Sequence, residues 1–112
     1  MASTGELEVG VDPLSQGGVV VHVDGELDLA TVEKLESALA TTDPGAPLVI
    51  DLTACTVLDS SAVRVLVTTA RSAEAAGGSV SLVTSDPGLL RILEIAAIDT
   101  MLPVHPTLDA AL

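Results

Sequence analysis

The chain contains no phenylalanine, tyrosine or tryptophan, and only one cysteine in 112 residues. Without aromatics, its core must be built from Val, Leu, Ile and Ala, and no ring platform exists on which bases or sugars could stack. A lone Cys55 excludes an internal disulfide and any zinc site built on cysteines. Cationic side chains are scarce as well: Lys34, Arg64, Arg71 and Arg91 stand against 16 acids, for a net charge of −12. Such a surface repels phosphate backbones and anionic membranes, so nucleic acid is not an expected partner. No run approaches the roughly 20 apolar residues of a membrane span. The beginning of the chain, MASTGELEVGV, lacks the basic and apolar regions of a secretory leader. A cytoplasmic protein is the expectation.

The residues present are strongly patterned, with 48% hydrophobic residues. ELEVGV (6–11) alternates polar and apolar residues, the period of a half-buried strand. DPLSQGG supplies turn residues, and VVVHVDGEL (19–27) reads as a second strand, completing an antiparallel hairpin. Its run of valines implies cover on both faces. After Asp28 the period lengthens: Val32, Leu35, Ala38 and Leu39 fall on one helical stripe. LVIDLT (48–53) is the strongest strand pattern, expected at the centre of a sheet. Beyond Asp59, the residues Val63, Leu66, Val67, Ala70 and Ala73 keep helical spacing until AAGG ends the run. SVSLVT (79–84) alternates again, and SDPGLLRILEIAAI opens with an acid and a proline as helices do. MLPVHPTLDAAL predicts a short edge strand and a final short helix. The order β-β-α-β-α-β-α, with a further β-α, implies crossover connections. The fold class is therefore α/β: one domain over residues 1–112, with a mixed, mostly parallel sheet of 4–5 strands, an N-terminal hairpin, and helices packed against it.

Catalytic chemistry finds no support in the pattern. His22 lies within a strand and His105 between prolines, and both read as structural or solvated. There is no GxSxG, and QGGVVV precedes a strand rather than a helix, so it cradles no phosphate. The acids scatter without a ligand-loop pattern. Neither an enzyme nor a cofactor is expected. Cys55 reads as a small core filler, with redox sensing as its alternative role.

What stands out is Asp59-Ser60-Ser61, three polar residues between an apolar strand and an apolar helix. Asp59 or Ser60 can serve as the helix N-cap, its side-chain oxygen accepting from free N–H groups of the first turn. The same position tolerates a phosphoserine, which adds about −1.5 to −2 charges at pH 7 without disturbing the fold. Capping and a modifiable docking face are both open on these residues alone.

GELDLAT (25–31), VIDLTACTVLDSSAVRVLV (49–67) and DPGLLRILEIAAIDTMLPVHPTLDAAL (86–112) resemble, in order and separation, the STAS family, specifically the bacterial anti-sigma factor antagonists. The resemblance implies phosphorylation at Ser60 by a cognate anti-sigma factor of the histidine-kinase-like ATPase fold. It also implies capture of that kinase while Ser60 is free, and a PP2C-type phosphatase that restores the free form. Asp28, Asp59, Ser60, Ser61 and Ala62 would form the partner-binding face. Ala62 stands where the family usually has glycine, so its methyl group is expected to meet an approaching kinase. Ala97 replaces another common glycine, a change expected to be of little consequence. A monomer is the expected state. Two other readings remain: a STAS scaffold or sensor subunit that binds partners without a serine switch, and a sensor of a small ligand.

Overall fold

In the computed structural model, residues 6–112 are described. The first five residues of the expected domain, and of the stretch read as lacking a leader, lie outside the described residues. The elements run β1 (Leu7–Pro13), β2 (Val19–Leu27), α1 (Val32–Leu39), β3 (Pro47–Leu58), α2 (Ser60–Ala76), β4 (Ser79–Val83), α3 (Pro87–Ile95), a 3₁₀ turn (Ile98–Thr100), β5 (Val104–His105) and α4 (Leu108–Ala111). One five-stranded sheet has the order β1-β2-β3-β4-β5. β1 and β2 form the antiparallel hairpin, and every later pairing is parallel. The α/β architecture read from periodicity is the one observed.

The sheet separates two apolar clusters of unequal size. Val21, Val23, Ile50, Leu52 and Leu82 face one side, where they meet Leu35 of α1, Leu66 of α2 and Leu89 and Leu93 of α3. On the other side, Val20, Val49 and Val83 pack with Leu14 and with Leu108 and Ala111 of α4. The valine run of β2 therefore does contact apolar neighbours on both faces, but only at the end that α4 covers. Farther along β2 the second face is polar. There His22 Nδ1 lies 2.8 Å from Asp51 Oδ2, and His22 Nε2 lies 3.3 Å from Asp12 Oδ2. Burial raises the Asp51 pKa, but the Thr53 hydroxyl and N–H, with His22, outweigh it and hold the carboxyl below its ordinary value.

β3 departs from the sequence expectation, since it continues from the apolar run to Leu58 rather than ending at Thr53. The reason is its partner. Asp24, Gly25, Glu26 and Leu27 of β2 pair with Ala54, Cys55, Val57 and Leu58, across register irregularities after His22 and after Gly25. Cys55 thus lies inside the strand, 3% exposed, not beyond its end. Its thiol donates to the Val57 carbonyl at 3.2 Å. Burial pushes the thiol pKa up, which keeps the reactive thiolate scarce and opposes the redox role.

Ala97 also differs from expectation, because it adopts φ 59°, the left-handed conformation that glycine enters without strain. Its carbonyl accepts from Thr100 Oγ1 at 2.6 Å and thereby starts the 3₁₀ turn. Ala97→Gly is expected to raise stability by about 0.5–1 kcal/mol, since the relieved strain exceeds the entropy glycine adds to the unfolded chain. A thermal melt reads this as a rise of a few degrees. An unchanged or lower midpoint contradicts it.

Candidate functional site

α2 begins where β3 ends, at the edge of the core, and Asp59 is its N-cap with an extended backbone. Asp59 Oδ1 accepts from Ser61 N at 3.0 Å, Ser61 Oγ at 2.5 Å and Ala62 N at 3.2 Å. Oδ2 turns the other way and accepts from Leu29 N at 3.0 Å, in the loop between β2 and α1. The Asp59 N–H donates to the Leu27 carbonyl at 3.2 Å. One residue therefore caps α2 and fastens a loop 30 positions earlier in the chain. The Ser61 hydroxyl, followed by opposing burial and then the N–H donors, sets the Asp59 pKa, which ends below the ordinary carboxylate value. Asp59 thus remains an anionic acceptor, poorly suited to removing a proton from Ser60.

Asp28 shapes the same loop. Its Oδ1 accepts from Ala30 N at 3.0 Å, and its N–H donates to Thr31 Oγ1 at 3.0 Å. Thr31 is buried, and its hydroxyl donates to the Glu26 carbonyl at 2.6 Å. These bonds hold Leu29 outward with 78% of its surface exposed, although it is a large apolar residue. Leu29 and Thr31 were not singled out from the sequence. The one available signal was an apolar residue in GELDLAT outside the stripe of Val32, Leu35, Ala38 and Leu39.

The Asp59–Leu29 bond brings the loop carrying Asp28 to the start of α2. Ser60, the first helical residue, is exposed, whereas the neighbouring Ser61 hydroxyl is committed to Asp59. Ala62 corrects the sequence reading: it is 0% exposed and belongs to the main core, so its methyl group meets no approaching partner. Its contribution to this face is the backbone N–H given to Asp59.

Between α1 and α2 lies an open groove of about 480 Å³, with Leu39, Leu48, Val65 and Val80 among its lining residues and Arg64 and Glu36 also on its wall. Among the described residues, no cluster of His, Cys, Asp and Glu could hold a metal ion. No helix among them is long and apolar enough to cross a membrane.

A hairpin-led, mostly parallel sheet with an acid-capped serine pair at the start of α2 defines a class of α/β domain, and sequence comparison names it. The sequence pattern of the STAS domain matches residues 11–111. The chain belongs to the STAS domain family. The anti-sigma-F factor antagonist RsfA of Mycobacterium tuberculosis is 35% identical over 99 residues, covering 84% of this chain and 77% of that protein. The crystal structure of an anti-sigma factor antagonist from Mycobacterium paratuberculosis superposes with a TM-score of 0.86 at 30% identity, over 99% of this chain and 95% of the other. The anti-sigma factor antagonist SpoIIAA, solved in its unphosphorylated form, shares the fold at 20% identity, with a TM-score of 0.73 over 93% of this chain and 92% of that one. SpoIIAA of Bacillus has also been solved in the phosphorylated form, with a TM-score of 0.70 at 19% identity over 93% and 96% of the two chains. Antagonists of this family are regulators and not enzymes, in keeping with the sequence reading.

Proposed function

We propose that this protein is an anti-sigma factor antagonist whose binding face is the Asp28–Leu29 loop together with Asp59, Ser60 and Ser61. With Ser60 free, the face captures an anti-sigma factor of the histidine-kinase-like ATPase fold and releases the sigma factor. That partner phosphorylates Ser60, the complex ends, and a PP2C-type phosphatase resets the antagonist, which acts in the cytoplasm as a monomer. The observation that carries this reading is the contrast between adjacent hydroxyls: Ser61 is tied to Asp59 at 2.5 Å, while Ser60 is exposed on the same rigid cap. A serine so placed is accessible to a kinase, and a phosphate on it alters docking without disturbing the core. In this reading the catalytic base and the nucleotide come from the partner, and Asp59 serves to hold the cap through its four hydrogen bonds from Leu29, Ser61 and Ala62. RsfA, an anti-sigma-F factor antagonist by name, supports the assignment of partner class.

Intact-mass measurement of the protein from its native cells tests the switch. The expected result is a form carrying one phosphate that Ser60→Ala abolishes, with the unphosphorylated form alone retaining an anti-sigma factor in pull-downs. Absence of the adduct under every growth condition, with Ser60→Ala indistinguishable in partner capture, overturns the switch and returns Asp59-Ser60-Ser61 to plain capping.

A further inference from the structure

The charge on α2 runs against that of the whole chain. The chain has four Lys and Arg residues and a net charge of −12. α2 carries two of those cations, Arg64 and Arg71, against a single acid, Glu74, and its first turn contains no acidic residue. Arg64 is four residues after Ser60, one turn along the same helix, and both are exposed. Residues at that spacing are neighbours on a helix surface, so although Arg64 lines the groove beside Glu36 in this structure, a turn of its side chain toward the N-terminus brings the guanidinium within reach of a group on Ser60. The order is also the favourable one, with the anionic position preceding the cationic one. Among the described residues the ion pairs within 4.0 Å all involve His22, and Arg64 enters none. Glu36 shares the groove wall with Arg64 without closing such a pair.

We propose that Arg64 is the built-in counter-ion of a phosphate on Ser60, its planar guanidinium taking phosphoryl oxygens across one helical turn. This rests on the reading of Ser60 as the phosphoacceptor. Arginine suits the role because its forked donors match phosphate geometry and it stays charged throughout the accessible pH range. The phosphorylated state is then an internally paired form, in which the modification occupies the docking face and draws Arg64 from the groove wall toward it. Asp59, at the cap, and Asp28, in the adjoining loop, act in the opposite sense by repelling the phosphate dianion. Arg71 is too distant to contribute: eleven residues of helix place it roughly 16 Å from Ser60 along the axis. That exceeds the screening length of about 8 Å at physiological ionic strength.

The test installs phosphoserine at position 60 during translation, without a kinase, and follows its second ionisation by phosphorus NMR. The ordinary value is about 6. The phosphate of the wild-type sequence and of Arg71→Gln is expected to titrate about half a pH unit below that of Arg64→Gln, a difference that shrinks with added salt. Both arginines are exposed, so neither substitution threatens the fold. Coincident titrations of the wild-type and Arg64→Gln proteins overturn the proposal. Because the phosphate is supplied directly, this outcome is separable from failure of the kinase reading, which native intact mass decides.

Discussion

Gly25→Ala lowers the stability of this protein by about 3 kcal/mol, a large part of the 5–15 kcal/mol typical of a domain. Gly25 has φ +123°, outside the range L side chains readily adopt, and a Cβ there would stand 2.3 Å from the Glu6 carbonyl oxygen and 3.3 Å from Leu7 Cα. Backbone strain of this kind costs about 1–3 kcal/mol. Relieving the clash requires β1 to move, and β1 is held by pairing along its whole length, including Leu7 opposite Gly25. The same residue precedes the register irregularity that leads β2 into Leu27 and the Asp28 loop. Gly10→Ala is the matched control on the neighbouring strand, because a Cβ at Gly10 meets nothing within 4 Å. Urea unfolding of the two variants checks the expectation, with the midpoint of Gly25→Ala falling far below that of Gly10→Ala. Equal midpoints would falsify this account of the glycine that opens GELD.

Asp59→Ala costs about 2 kcal/mol, through loss of the α2 cap and release of the β2–α1 loop at once. Asparagine is an equally good cap and retains an acceptor oxygen. Asp59→Asn is therefore expected to keep most of the stability that Asp59→Ala loses. Protection of the Leu29 amide against hydrogen exchange separates the two contributions, since only the loop bond to Asp59 Oδ2 shields it. The pH dependence has a definite sign. A carboxyl whose folded pKa is depressed contributes stability that is fully present above its unfolded value, near 3.9, and is lost as pH falls through the folded value. Wild-type protein should therefore lose more stability than Asp59→Asn on acidification below about pH 4. A parallel loss in both proteins would show that the Asp59 charge is not held by its donors.

Most of the fold was legible because its signals are local. Apolar periodicity and turn residues marked most helices and strands, and the helices between successive strands implied the parallel crossovers. Asp59 was legible as a candidate cap for the same reason, since its Oδ1 contacts lie within three residues. The rest depends on partners distant in sequence. After Thr53 the strand pattern weakens, and only pairing with β2 carries β3 through Cys55 to Leu58. Ala62 follows the serine pair and reads as part of the surface motif, but the turn of α2 aims its methyl into the core. Ala97 reads as an inconsequential replacement of a common glycine until the turn after α3 demands a positive φ.

The sequence by itself determined the layered α/β plan, the absence of an aromatic core, the acidic surface, and a capped serine pair at the mouth of one helix. Those properties follow from composition and from interactions spanning a turn or less. Tertiary structure alone decided which residues make a face: Leu29 is presented beside Ser60 because Asp59 bonds across 30 residues, and Ser60 differs from Ser61 in being exposed and not bound to that carboxylate. Hydrogen-bond partners and burial at such separations are set by how the sheet brings chain segments together, and no local pattern encodes that arrangement.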